Sequence, residues 1–105
     1  MRKLGIAFAA IMLIALTTPA FADGGADYKA KCQMCHAADG SGKTPAGEKM
    51  GAHDLRAPDV VKETDAQMID ITSKGKNKMP AFAGKLTDAQ IKDVVGYIRE
   101  LQKKK

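Results

Sequence analysis

The sequence predicts an all-α fold of three to four short helices, and three observations carry that reading. Thr64-Asp65-Ala66-Gln67 and Thr87-Asp88-Ala89-Gln90 each place Gln three residues after Thr, the reciprocal capping pattern that opens a helix. The second is followed by Ile91, Val94, Val95, Ile98 and Leu101 at helical spacing. No segment reads as a strand.

The 105 residues suffice for one small domain, and the first 22 differ from the rest. Arg2 and Lys3 precede an unbroken run of apolar residues and Gly from Leu4 to Leu16, which leads through Pro19 to Ala20-Phe21-Ala22. A basic start, an apolar stretch and an A-x-A site together read as a secretory signal peptide over residues 1–22. The run is short for crossing a bilayer, which takes about 20 apolar residues, so no stable membrane anchor is expected after cleavage. The domain is then 23–105. Taking Arg2 and Lys3 from the 17 basic residues leaves 15 against 12 acids, a net charge of +3. That mild balance makes no case for nucleic-acid binding.

Asp23 is placed to cap a helix over residues 24–35, with Gly24, Tyr28 and Cys32 on one face. Residues 37–59 carry successive turn signals, Asp39-Gly40, Ser41-Gly42 and Pro45-Ala46-Gly47, and read as a long loop. A structureless stretch of that length is unusual in a small domain unless it wraps something. The first capping box predicts a helix over 65–74, with Lys74 at its negative end and Gly75 just beyond. Residues 75–85 form a strap in which Pro80 biases Met79 toward an extended conformation. The second box opens the last helix.

This domain lacks an adequate core of its own. Trp is absent, and Tyr28, Phe82 and Tyr97 are the aromatic residues after position 22. Domains of this size are marginal without a staple such as a disulfide, a metal or a bound group. The two cysteines offer three such staples: a redox-active disulfide, half of a zinc site, or covalent haem attachment. Cys32-Gln33-Met34-Cys35-His36 matches the third. Two thiols three positions apart on a helical turn can each add to one haem vinyl group, and the next residue then offers an imidazole to the iron. Zinc lacks a second cysteine pair, and no βαβ pattern surrounds the motif.

With His36 as one axial ligand, the sixth position is either open, as in a gas or peroxide site, or closed. Met34 lies inside the attachment turn, Met68 sits on an apolar helical face, and Met50 lies in the long loop. Met79, on the Pro80 strap, has the best context for ligation. His53, among polar neighbours, reads as a surface residue.

Gly24, Tyr28 and Cys32, the Cys32–Cys35–His36 motif, and the strap residues Gly75, Met79, Pro80 and Phe82 together resemble the class I c-type cytochromes, in particular the short bacterial and photosynthetic type. The resemblance implies the small cytochrome c fold around one covalent haem c, with His36 and Met79 as axial iron ligands and no enzymatic activity. It implies terminal helices that cross where Gly24 permits close approach, with Gly96 and Tyr97 on the last helix. It also suggests the Pro45 carbonyl as acceptor for the ligand imidazole, although a turn proline without that role fits equally well. Nothing in the resemblance assigns residues 47–59.

The function expected is one-electron transfer by a soluble, monomeric, exported carrier, most simply in a bacterial periplasm. Lys31 and Lys43 flank the attachment motif and Lys74, Lys76, Lys78 and Lys85 flank the strap, so they are candidates for docking an acidic redox partner. An open-site haem protein and a haem subunit of a larger redox enzyme are the competing classes.

Overall fold

Helix α1, Gly24–Lys31, starts as its sequence requires: Asp23 accepts a hydrogen bond from the Ala26 amide at 3.2 Å. In the computed structural model, which describes residues 23–104, five further helices follow: α2 Gln33–His36, α3 Pro45–Met50, α4 Pro58–Val61, α5 Asp65–Lys74 and α6 Asp88–Lys103. The expected leader lies outside the described residues. Among those described, no helix is long and apolar enough to cross a membrane, and two isolated bridges, Lys76 with Met79 and Ala83 with Leu86, are the whole of the β structure.

Both capping boxes form in full. Thr64 and Thr87 each accept from the backbone of Gln67 and Gln90, and each glutamine side chain accepts from the threonine amide. Two expectations need correction. The single helix expected over 24–35 breaks at Cys32, which closes α1 and opens α2. The stretch 37–59 is no structureless loop. Thr44 accepts from the Gly47 amide at 2.7 Å, Pro45 takes the first helical position where its missing N–H is harmless, and α3 results; Pro58 starts α4 in the same way.

Helices α1 and α6 cross, and α5 lies against α6. Between them sit Tyr28, Met68, Phe82, Leu86, Ile91, Val94, Val95, Ile98 and Leu101, with Val60 from α4 and Cys32 at the edge. Tyr28 and Tyr97 meet at the crossing with ring centroids 5.2 Å apart and planes tilted by 44°. The crossing is close because α1 presents no side chain there: a Cβ on Gly24 would run into the backbone carbonyl of Asp93. Gly96 plays no such part. It is exposed, with open space where its Cβ would stand, so the small residue that matters on this pair of helices is on α1 alone.

The C-terminal half of α6 binds the intervening segments. Arg99 donates from Nε to Asp65 at 2.8 Å and also to the backbone carbonyls of Val61 and Glu63, and Gln102 donates to the Leu55 carbonyl at 2.8 Å. These bonds hold the α4–α5 corner and the end of the α3–α4 segment to the core.

Substitution tests the crossing with opposite signs. Gly24→Ala should lose ~1–3 kcal/mol of unfolding free energy through overpacking. Gly96→Ala should gain ~0.5–1 kcal/mol because it removes a mid-helix glycine at no steric cost. Urea denaturation of the holoprotein checks both.

Candidate functional site

The attachment turn is built from backbone bonds. The amides of Cys35 and His36 both donate to the Cys32 carbonyl, at 3.2 and 2.9 Å, and the Ala37 amide donates to Gln33 at 2.9 Å. Ala37 then takes a positive φ of 70° and turns the chain away. The Tyr28 hydroxyl, buried beneath, donates to the Ala37 carbonyl at 2.6 Å. Desolvation raises the Tyr28 phenol far above its ordinary range, so it stays protonated as that donor. Cys32 is buried and Cys35 half-buried, and no disulfide joins them. Burial, followed by the Asp27 and Cys35 charges, pushes the Cys32 thiol up to about 11.

Helix α3 packs on the outside of this turn. The Thr44 hydroxyl donates to the Met34 carbonyl at 2.6 Å, and a Cβ on Gly47 would collide with the Cys35 carbonyl. The segment expected to wrap a haem therefore buttresses the turn that would hold one. Its continuation supplies the acceptor for the His36 imidazole. Nδ1 of His36 donates to the backbone carbonyl of His53 at 3.1 Å. The acceptor suggested for that role, Pro45, is instead the first residue of α3. With the proton on Nδ1, Nε2 keeps its lone pair. Burial lowers the His36 pKa below the ordinary histidine value, with the bond to His53 opposing, and so favours the neutral ring that can ligate a metal.

His53 contributes its backbone, while its imidazole stands 67% exposed with Nε2 3.6 Å from an Asp59 carboxylate oxygen. No side-chain pattern marks a residue used for its carbonyl, and this is why the sequence passed over it.

The strap that carries Met79 is fixed at both ends. The amides and carbonyls of Lys76 and Met79 bond reciprocally at 3.1 and 2.9 Å around Asn77, whose φ is 54°. Phe82 and Ala83 donate to the carbonyls of Thr72 and Ser73 at 3.0 and 3.1 Å, pinning the far end to α5. Met79 is half-buried against the apolar cluster that contains Cys32, as are Leu55 and Ile69. The other methionines stand elsewhere: Met34 and Met50 are 75% and 43% exposed, and Met68 is buried inside the core. The lysines singled out, Lys31, Lys43, Lys74, Lys76, Lys78 and Lys85, are all exposed. Lys74 pairs with Asp70 at 2.9 Å, and Lys85 lies 5.6 Å above the Phe82 ring centroid.

The donor set fits a covalent haem. Two unpaired thiols lie one turn apart, an adjacent imidazole is held by Nδ1 with Nε2 free, and a thioether borders the same apolar cluster. The zinc alternative lacks its other half, since no three His, Cys, Asp or Glu side chains converge among the described residues.

Known proteins resemble the chain along most of its length. The family described as cytochrome c oxidase, cbb3-type, subunit III matches residues 19–98. Cytochrome c6 of Synechococcus sp. is 36% identical over 85% of this chain and 80% of its own. Cytochrome c6 of Thermosynechococcus vestitus is 33% identical over 92% and 88%. The solved KustC0563 c-type cytochrome superposes with a TM-score of 0.70 at 30% identity, covering 76% of this chain and 98% of that one. With the C-x-x-C-H turn, the methionine strap and the all-α frame, these matches show that the chain belongs to the class I c-type cytochromes, whose cofactor is one covalently bound haem c.

Proposed function

We propose that the protein is an exported, soluble carrier of single electrons, working as a monomer in a bacterial periplasm after removal of residues 1–22. Cys32 and Cys35 carry the haem, and His36 and Met79 are its axial ligands. The observation that carries this reading is the His36–His53 bond, because it aims the imidazole Nε2 and fixes its tautomer before any metal is considered. Met79, on a strap anchored at both ends, is the thioether that borders the cluster containing Cys32.

The haem supplies the one-electron couple, and the chain sets its conditions. The thioether of Met79 favours ferrous iron and raises the potential, as does the apolar surround of Leu55, Ile69 and Phe82. A closed, six-coordinate site requires no ligand to leave on electron transfer, so little reorganisation is needed and no catalytic residue is called for. Lys31, Lys43, Lys76, Lys78 and Lys85 present positive charge around the attachment turn and strap and would steer the protein to an acidic partner surface. A haem subunit of a larger redox enzyme is the second reading, supported by the oxidase-subunit family match; co-purification with a large partner would favour it over a free monomer.

Three outcomes follow from the ligand assignment and the charge placement. The ferric protein should show the weak far-red band of a methionine–iron bond. Met79→Ala should abolish it, let the ferrous protein bind carbon monoxide, and lower the midpoint by on the order of 0.1 V within the ~0.8 V that axial ligands span. A wild type that lacks the band and binds carbon monoxide would instead support the open-site class. His53→Ala should keep the band and cost only the ~0–1 kcal/mol of an exposed ion pair; its disappearance would show that the imidazole itself is needed. The rate of reduction by an acidic redox partner should fall several-fold as ionic strength rises from ~0.01 to ~0.15 M and the Debye length shrinks from ~30 to ~8 Å. A flat rate would remove the lysines from docking.

A further inference from the structure

Asp27 sits in the first turn of α1, five residues before Cys32. Its Oδ2 is enclosed by protein and has no hydrogen-bond partner among the described residues, the one buried side-chain oxygen or nitrogen there in that condition. None of the ion pairs among those residues includes it. Helix capping does not account for it, because Asp23 already accepts the Ala26 amide at the start of α1. A carboxylate without hydrogen bond or counter-ion in such a place lowers stability, and an apolar side chain of similar shape would raise it. Its charge is felt at one identifiable place: after burial, Asp27 is the largest cause of the raised Cys32 thiol pKa. The Cys32 sulfur is the atom through which α1 joins the porphyrin edge.

We propose that the Asp27 carboxylate sets the reduction potential of the haem, holding it below the value that the His36 and Met79 ligands and the apolar surround would give alone. This rests on haem attachment at Cys32 as assigned above. When the ferrous protein gives one electron to a redox partner, the iron centre gains one unit of positive charge, and no bond to the protein changes. A fixed negative charge on α1, five residues before the attachment cysteine and with one of its two oxygens enclosed, stabilises the oxidised form more than the reduced one. The effect is opposite in sign to that of the Met79 thioether. An acid in the first turn of a helix also interacts well with the helix dipole, but that role changes stability alone and leaves the potential where it is.

Asp27→Asn keeps the shape and removes the charge. In a spectroscopic redox titration of the holoprotein against a one-electron mediator, it should raise the ferrous-to-ferric ratio at fixed solution potential about threefold or more, which is ~28 mV or more at ~59 mV per tenfold. Part of the rise should persist at high salt, because a half-buried charge is screened less than an exposed one. Asp27→Glu, which retains the charge, should stay near wild type, and so should Asp88→Asn, an exposed acid at the start of α6. Asp27→Leu should raise the potential and also the urea midpoint, so a poorly folding asparagine variant leaves the test intact. An unchanged or lowered midpoint in both Asp27→Asn and Asp27→Leu, with the far-red band retained, overturns the proposal. A wild type with no far-red band or no covalent haem overturns the ligand assignment instead, and the two failures are read from different signals.

Discussion

The hydrogen bond from His36 to the carbonyl of His53 is the constraint around which the chain is arranged. An imidazole adjacent to two attachment thiols is useful only if it faces one way with the correct nitrogen bare, and a lone helical turn cannot ensure that. The segment between the attachment turn and α5 does so. Thr44 and Gly47 press α3 against the carbonyls of Met34 and Cys35, and Gln102 holds Leu55, two residues beyond His53, to the last helix. A stretch without a large apolar residue until Met50 is thus ordered mainly by hydrogen bonds to the turn it supports.

The helical frame serves the same end from the other side. Crossing α1 and α6 at Gly24 brings Tyr28 deep into the core, where its hydroxyl reaches over to Ala37 and fixes the exit of the attachment turn. Helix α5 projects the strap, and backbone bonds from Thr72 and Ser73 determine where the strap returns. Apart from Tyr28, the largest fully buried side chains, Ile91, Val94 and Val95, are modest in size. They form a narrow core with Cys32 and Met79 along its margin, consistent with a bound group completing the apolar interior.

What could be read from the residues and what could not divides along physical lines. Both capping boxes were legible because the whole interaction lies within four residues. The C-x-x-C-H spacing was legible because the chemistry of the attachment imposes it. Helix α3 carried its own signals, a Thr cap, Pro at the first position and Glu48 in the first turn, but Pro45-Ala46-Gly47 also reads as a turn, and the contact that decides between them is that of Gly47 with Cys35, twelve residues earlier in sequence. The carbonyl of His53 had no signature at all, because any residue offers one. Gly24 was legible as the close-approach residue through the resemblance, whereas the open space beside Gly96 shows only in the relative rotation of α1 and α6.

The electrostatic design is split between surface and interior. The lysines around the attachment turn and strap stand exposed, and one of them, Lys74, is paired with an exposed acid, Asp70. Inside, on the proposed assignment, the His36 and Met79 ligands and the apolar margin would govern the iron. The most direct test of that interior account is the proton NMR spectrum of the reduced holoprotein. The account predicts one thioether methyl displaced far upfield by the porphyrin ring current and assigned to Met79, together with a slowly exchanging His36 Nδ1–H close in space to residue 53. A displaced methyl belonging to Met50 or Met68, or none at all, would contradict it.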